Sequence, residues 1–202
     1  MADKTLTPPP HTVPVAFTRA QLEWLPWLEP LAGEAMTERQ LASLVDAARV
    51  KSPYFRLLAR DPDALEARTR TDKDIFYNPD AGLPRAEREL AAAATSRFNG
   101  CLYCASVHAR HAATYSKREA DVQRLLDAGV SADLGERWNA IVAASVALTA
   151  TPITFGSEHV DRLRRLGLDD LAIADVIHAA AFFNWANLLM LSLGEPAAAA
   201  PA

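Results

Sequence analysis

Two cysteines and a histidine share one short stretch of the chain: Cys101, Cys104 and His108. Their spacing is i, i+3 and i+7, which on a helix falls along one face, so the two sulfurs and the imidazole form a single stripe. Helical side chains lean toward the N-terminus, which brings His108 back toward Cys104. Three residues of helical rise separate the cysteine Cα atoms by about 5 Å, a span that a disulfide tolerates. Asn99-Gly100 stops the preceding helix and puts the cysteines in the first turn of the next. Free backbone N–H groups and the helix dipole stabilise a thiolate there. Such a pair can do redox work: a thiolate attacking a peroxide becomes a sulfenic acid, and a second thiol one turn away condenses with it to a disulfide.

Glu89 lies twelve residues before Cys101, on the preceding helix. A helix–break–helix layout folds the two helices together, and Ala92, Ala93 and Ser96 give Glu89 a small-residue seam. A carboxylate buried there needs a partner, and His108 is the natural one. A Glu–His pair would orient the ring and move a proton to or from Cys104 or the leaving oxygen. Glu87, beside Arg85 and Arg88, reads as a surface charge. His111 continues the stripe as a weaker alternative base, whereas His11, His159 and His178 read as structural or exposed. Haem attachment would need a histidine directly after the second cysteine, where this chain has Ala105. A structural zinc site would have only Cys101, Cys104 and His108 or His111 to draw on. The reading therefore calls for neither metal nor cofactor.

The elements that must position these groups are helical. Of 202 residues, 40 are alanine and 8 are glycine. Alanine is the best helix former and a poor strand former, so the composition points to an all-α protein. Residues 1–16 hold a Pro8-Pro9-Pro10 run and read as an extended arm, ordered only by docking on a partner. Residues 17–80 read as an N-terminal helical region. Thr18 caps a first helix carrying Leu22, Leu25 and Leu28, limited by Pro26. Thr37 and Gln40 form a capping box. Ser52-Pro53 opens a helix with Tyr54, Leu57, Leu58 and Leu65, divided at Pro62. The loop Asn78–Pro84 leads into a core over residues 81–194. Its helices cover about 85–98, 101–115, 134–150, 157–166 and 170–193, with a short one from a Ser116/Glu119 capping box to Gly129. Residues 195–202 read as a disordered tail. A shift of 51 residues lays His159 on His108 and Ala140 on Glu89, a candidate degenerate internal repeat whose second copy lacks the thiols and the glutamate.

The formal charge of −4 carries no basic stripe, which argues against nucleic-acid binding. Apolar runs of about a dozen residues are short for a membrane span, and the N-terminus has no signal-like apolar region. A cytoplasmic location is therefore expected. Two close cysteines do not make a secreted disulfide scaffold.

The pattern Glu89, eleven residues, then CxxCxxxH over Cys101, Cys104 and His108 resembles the alkylhydroperoxidase D (AhpD) family within the carboxymuconolactone decarboxylase-like superfamily. The surrounding ERELAAAATSRFNGCLYCASVH is similar as well. So is LGLDDLAIADVIHAAAFFNWANLLMLSLG, with Asn184 and Asn187. The layout is similar to the peroxidase-related two-domain members. The resemblance implies an AhpD-like helical fold and assembly as trimers or hexamers. It also implies a peroxidase that reduces hydroperoxides and is re-reduced by a dithiol or thioredoxin-like donor. Cys104 would be the peroxidatic cysteine and Cys101 the resolving one. His108 would activate Cys104, and Glu89 would complete the relay through a water. Tyr103 stands where the best-known member has a relay histidine, and a phenol does not shuttle protons near neutral pH as an imidazole does. Decarboxylase members lack the CxxC, so lactone decarboxylation is disfavoured. The same thiols could instead serve a thiol–disulfide oxidoreductase or a redox adaptor for another peroxidase, or, less favoured, hold a structural metal in a non-enzymatic helical module.

Overall fold

Four consecutive alanines, Ala91 to Ala94, mark the centre of the molecule, each wholly buried. They lie on α4 (Arg85–Phe98), which packs against α5 (Leu102–Ser116), α7 (Glu136–Thr149) and α9 (Asp170–Leu193). Side chains of one carbon let the helix axes approach closely on all sides, and no larger residue fits there without moving a neighbour. The computed structural model describes residues 5–198. Its helices in chain order are α1 (Glu38–Ser43), α2 (Pro53–Leu58), α3 (Pro62–Tyr77), α4, α5, α6 (Glu119–Ala128), α7, α8 (Ser157–Arg165) and α9.

Local chemistry explains most boundaries. The capping box of Thr37 and Gln40 is formed at the start of α1. Pro62 occupies the first turn of α3, where its missing N–H costs nothing, and the Asp61 side chain accepts from Ala64 N–H. Between α4 and α5 the chain turns at Gly100, whose φ of +78° lies in the left-handed region that glycine adopts without steric cost. The Ser116/Glu119 capping box does not form. Helix α5 runs through Ser116, whose hydroxyl donates to the Ala112 carbonyl, and Lys117 in the left-handed region ends that helix. Arg118 then occupies the N-cap of α6.

Two expectations are corrected at the chain ends. Residues Leu22–Pro26 form a strand, β1, not a helix, and Gly194–Ala198 form β2, its antiparallel partner, where a disordered tail was expected. The leucine spacing at 22, 25 and 28 imitates a helical face, but Leu22 and Trp24 are buried and Glu23 is exposed, the period of a strand. Thr18 caps only a turn, its hydroxyl accepting from Ala20 N–H. At Gly194 a Cβ would stand 2.3 Å from the Leu25 carbonyl oxygen and 2.4 Å from the Trp24 ring, so only glycine permits this pairing. The described part of the N-terminal arm docks on its own chain: Leu6 N–H donates to the Trp27 carbonyl, and Ala198 N–H donates to that of Thr12. Residues 1–4 and 199–202 lie outside the described residues.

Helix α9 is apolar almost all round, and by length and composition it reaches what a membrane crossing requires, contrary to the shorter runs read from the sequence. Here it lies against α3, α4, α7 and α8. The candidate repeat has a partial structural counterpart. Helices α4 and α7 both span 14 residues, start 51 residues apart and pack together. Their following helices differ, with 15 residues in α5 and 9 in α8.

Candidate active site

The predicted pair of Glu89 and His108 is in place. The carboxylate is 1% exposed, and His108 Nδ1–H donates to its Oε2 at 2.7 Å. The contact is direct. Donation from Nδ1 to the carboxylate leaves Nε2 as the nitrogen that exchanges protons. The ring is wedged between aromatics, with the Phe183 centroid at 3.9 Å edge-on and the Phe76 centroid at 5.1 Å in a stack. Arg85 Nε donates to the other carboxylate oxygen, Oε1, at 3.2 Å. Its guanidinium lies between the rings of Tyr77 and Tyr115, at 4.1 and 4.2 Å. A buried carboxylate is thus held by two donors on opposite oxygens, which is what its burial requires.

Cys101 is the N-cap of α5, and its N–H donates to the Ser96 carbonyl at 2.9 Å. Cys104 follows one turn later. Both thiols are free and buried. The neighbouring Cys104 thiol draws the Cys101 thiol below its ordinary value. The same neighbour, reinforced by burial, pushes Cys104 well above it. The pair therefore holds one proton tightly and releases the other readily. The nearby Asn187 amide is a smaller opposing influence on Cys104.

Asn187 is wholly buried on α9 and joins a network across the α4–α5 break. Its Nδ2 donates to Ser96 Oγ at 3.0 Å, and its Oδ1 accepts from Asn99 Nδ2 at 3.1 Å. Asn99 Nδ2 also donates to Asn184 Oδ1 at 3.0 Å. These amides pin the cysteine-bearing turn to α9.

A cavity of about 200 Å3 opens beside Cys104 and His108. Cys104 lines it and Cys101 does not. The remaining wall comes from α2, α3, α4 and α9, including Tyr54, Arg68, Phe76, Glu89 and Phe183, together with Tyr103 of α5. Burial raises the Tyr54 hydroxyl to about 12 and the Tyr103 hydroxyl above its ordinary value, so both stay protonated near neutrality. His111 also lines the cavity, and burial lowers its pKa, keeping it neutral.

The sequence reading misplaced one acid. Glu87 is buried, and both its oxygens accept from Arg137, from Nε and Nη2, each at 2.7 Å. Its partner comes from α7, fifty residues on, so neighbouring Arg85 and Arg88 gave no sign of it. Sequence reasoning also passed over Arg68. The available signal was a cation on the buried face of α3, three residues after Leu65 and one before Thr69, both buried. Among the described residues no three His, Cys, Asp or Glu side chains group as metal ligands would.

Residues 62–147 match the model of the carboxymuconolactone decarboxylase family. No curated protein is significantly similar to the chain. Among solved structures, the chain is similar to an AhpD-core, uncharacterized peroxidase-related protein from Ralstonia eutropha JMP134. The TM-score is 0.68 at 23% identity, over 81% of this chain and 87% of that one. A second peroxidase-related protein, from Silicibacter sp. TM1040, aligns over 95% of both chains with a TM-score of 0.67 and 21% identity. The debrominase Bmp8 aligns with a TM-score of 0.65 and 18% identity, over 81% of this chain and 88% of that one. Residues 62–147 are therefore similar to the carboxymuconolactone decarboxylase family, and the chain as a whole has the AhpD-like fold.

Proposed function

We propose that this protein is a two-cysteine peroxidase that reduces hydroperoxides at Cys104. The observation that carries this reading is that Cys104, alone of the pair, lines a cavity next to a histidine held by a buried glutamate. His108 Nε2 accepts the Cys104 proton as Cys104 sulfur attacks the distal peroxide oxygen. An S–O bond forms and the O–O bond breaks. The leaving alkoxide takes that proton back from His108 Nε2, with Glu89 stabilising the imidazolium in between. Cys101 sulfur then attacks the Cys104 sulfenic acid, forming the disulfide and releasing water. A dithiol or thioredoxin-like donor returns two electrons and two protons, in a reducing, cytoplasmic setting. The role of redox adaptor, which would use the same two thiols, is the second reading.

Exposed apolar residues along α9, among them Leu171, Trp185 and Leu188, support self-association, and we assign trimers or hexamers to it. Light scattering on the purified protein reads this directly.

The test of the reaction is mass spectrometry after a stoichiometric dose of peroxide. Wild type should gain one Cys101–Cys104 disulfide. Cys101→Ser should accumulate sulfenic acid on Cys104. Trapping of the sulfenate on Cys101 in Cys104→Ser, at the wild-type rate, would reverse the assigned roles. Oxidation by peroxide only when a partner peroxidase is added would favour the adaptor.

A further inference from the structure

Arg68 is a cation that the peroxidase chemistry leaves unused. It projects from α3 into the wall of the cavity that Cys104 lines, and it is only 8% exposed. Its Nε and Nη1 are buried and find no hydrogen-bond partner among the described residues. The nearest acid, Asp72, does not satisfy it. Asp72 Oδ2 accepts from Arg49 Nη2 at 3.1 Å and stands 3.6 Å from Arg68 Nη1, an ion-pair distance without a hydrogen bond. One carboxylate thus serves two guanidinium groups. The other acid at the cavity, Glu89, is occupied by Arg85 and His108.

The guanidinium is fixed in place. The rings of Phe55 and Phe182 each lie 5.3 Å from its central carbon. Beside it in the wall, the Tyr54 hydroxyl is also buried with no hydrogen-bond partner among the described residues. A buried charge with unfilled donors is costly unless a ligand completes it. Two sets of unfilled donors on one aromatic wall make a receptor for an anionic oxygen group. A dry cavity of about 150 Å3 is enough to hold a benzene ring, and this one measures about 200 Å3.

We infer that Arg68 and Tyr54 bind a carboxylate on the substrate, so that the preferred oxidant is a small, ring-sized organic hydroperoxide bearing a carboxylate remote from its O–O bond. The identity of the oxidant rests on the peroxidase reading; the anion site does not. Arg68 would be a specificity-determining residue, met by the carboxylate while the hydroperoxide end meets Cys104.

The test uses two matched pairs on the full chain. The first pair is redox-inert, 4-methylbenzoate against 4-methylbenzamide, measured by calorimetry. The second is 4-(hydroperoxymethyl)benzoate against its amide, measured by the rate of disulfide formation. Wild type should bind the acid at least tenfold tighter than the amide, and should show at least a tenfold preference in rate. Both ratios should fall below threefold in Arg68→Gln and recover in part in Arg68→Lys. Equal binding of acid and amide to wild type would overturn the proposal without recourse to any variant. So would an acid-to-amide ratio that survives in folded Arg68→Gln. Selective binding of the acid, with neither hydroperoxide oxidising the thiols, would leave the anion site standing and remove the peroxidase reading.

Discussion

Glu89→Gln changes one oxygen of the site to nitrogen and leaves its shape alone. In the native arrangement the carboxylate accepts from His108 Nδ1 at 2.7 Å and from Arg85 Nε at 3.2 Å, one donor on each oxygen. A glutamine has one acceptor oxygen, so it can serve His108 or Arg85 but not both with the same geometry. It also removes the negative charge that steadies His108 as it carries the proton to the leaving oxygen. Hydrogen bonds to charged groups contribute about 1.5–3 kcal/mol. At 1.36 kcal/mol per tenfold, loss of that stabilisation in the transition state slows the reaction by about 10- to 150-fold. The assay is a single-turnover measurement of Cys101–Cys104 disulfide formation under a fixed excess of peroxide, which excludes the reductant from the rate. The same loss applied to folding lowers the melting temperature by about 3–12 °C, since 1 kcal/mol corresponds to about 2–4 °C in a chain of this size. The rate is therefore measured well below the transition, with circular dichroism matched to wild type. A folded Glu89→Gln protein that closes the disulfide within threefold of the wild-type rate would refute the relay, and Glu89 would then be a purely structural acid.

Three further perturbations separate structure from chemistry. Glu87→Gln should lower stability by about 1–3 kcal/mol, read in a denaturant melt, because it disrupts the two-pronged bond to Arg137. It should leave the disulfide-forming rate within twofold of wild type. Asn187→Leu should also cost about 1–3 kcal/mol, since it leaves Ser96 and Asn99 without their buried partner. It should in addition raise the pH at which the cysteine pair loses its second proton, because the influence of Asn187 that lowers the Cys104 thiol is gone. In the wild type, thiolate absorbance near 240 nm should rise by one equivalent with a midpoint below that of an ordinary thiol, the direction set for Cys101 by the neighbouring Cys104 thiol. The second equivalent should appear only well above that value. Attack of Cys101 on the Cys104 sulfenic acid should therefore slow as pH drops through the first midpoint. Two equivalents released together at the ordinary thiol value would refute the shared proton.

Much of the reacting centre is local enough to read from the chain. Cys101, Cys104 and His108 lie within eight residues on one helix, so a single periodicity fixes their mutual placement. Glu89 joins them because a two-residue break forces α4 and α5 into a hairpin, and the alanines of α4 let them close. The wall opposite was not legible, because Tyr54, Arg68, Phe76 and Phe183 reach the cavity from three separate helices whose packing no local pattern encodes. Glu87 failed for the same reason: its partner Arg137 is brought by tertiary packing of α7. The β1–β2 pair failed twice over. Leucine spacing disguised β1 as a helix, and the Gly-Glu-Pro-Ala-Ala of β2 has almost no intrinsic strand preference. It becomes a strand only because a partner more than 160 residues away supplies the hydrogen bonds.

That pairing has a consequence for anyone handling or engineering the protein. Trp24 of β1 rests edge-on against Tyr54 at 5.3 Å, and its indole N–H donates to the Met190 carbonyl. Tyr54 and Met190 both form part of the cavity wall. A fusion or trimming at the C-terminal side that unseats β2 would free Trp24, and with it the tyrosine that gives the cavity its width. Such a derivative could keep every cysteine, histidine and glutamate of the reacting centre and still handle bulky oxidants differently from the full chain. Affinity tags placed after residue 198 should therefore be compared with N-terminal ones before any substrate preference is assigned.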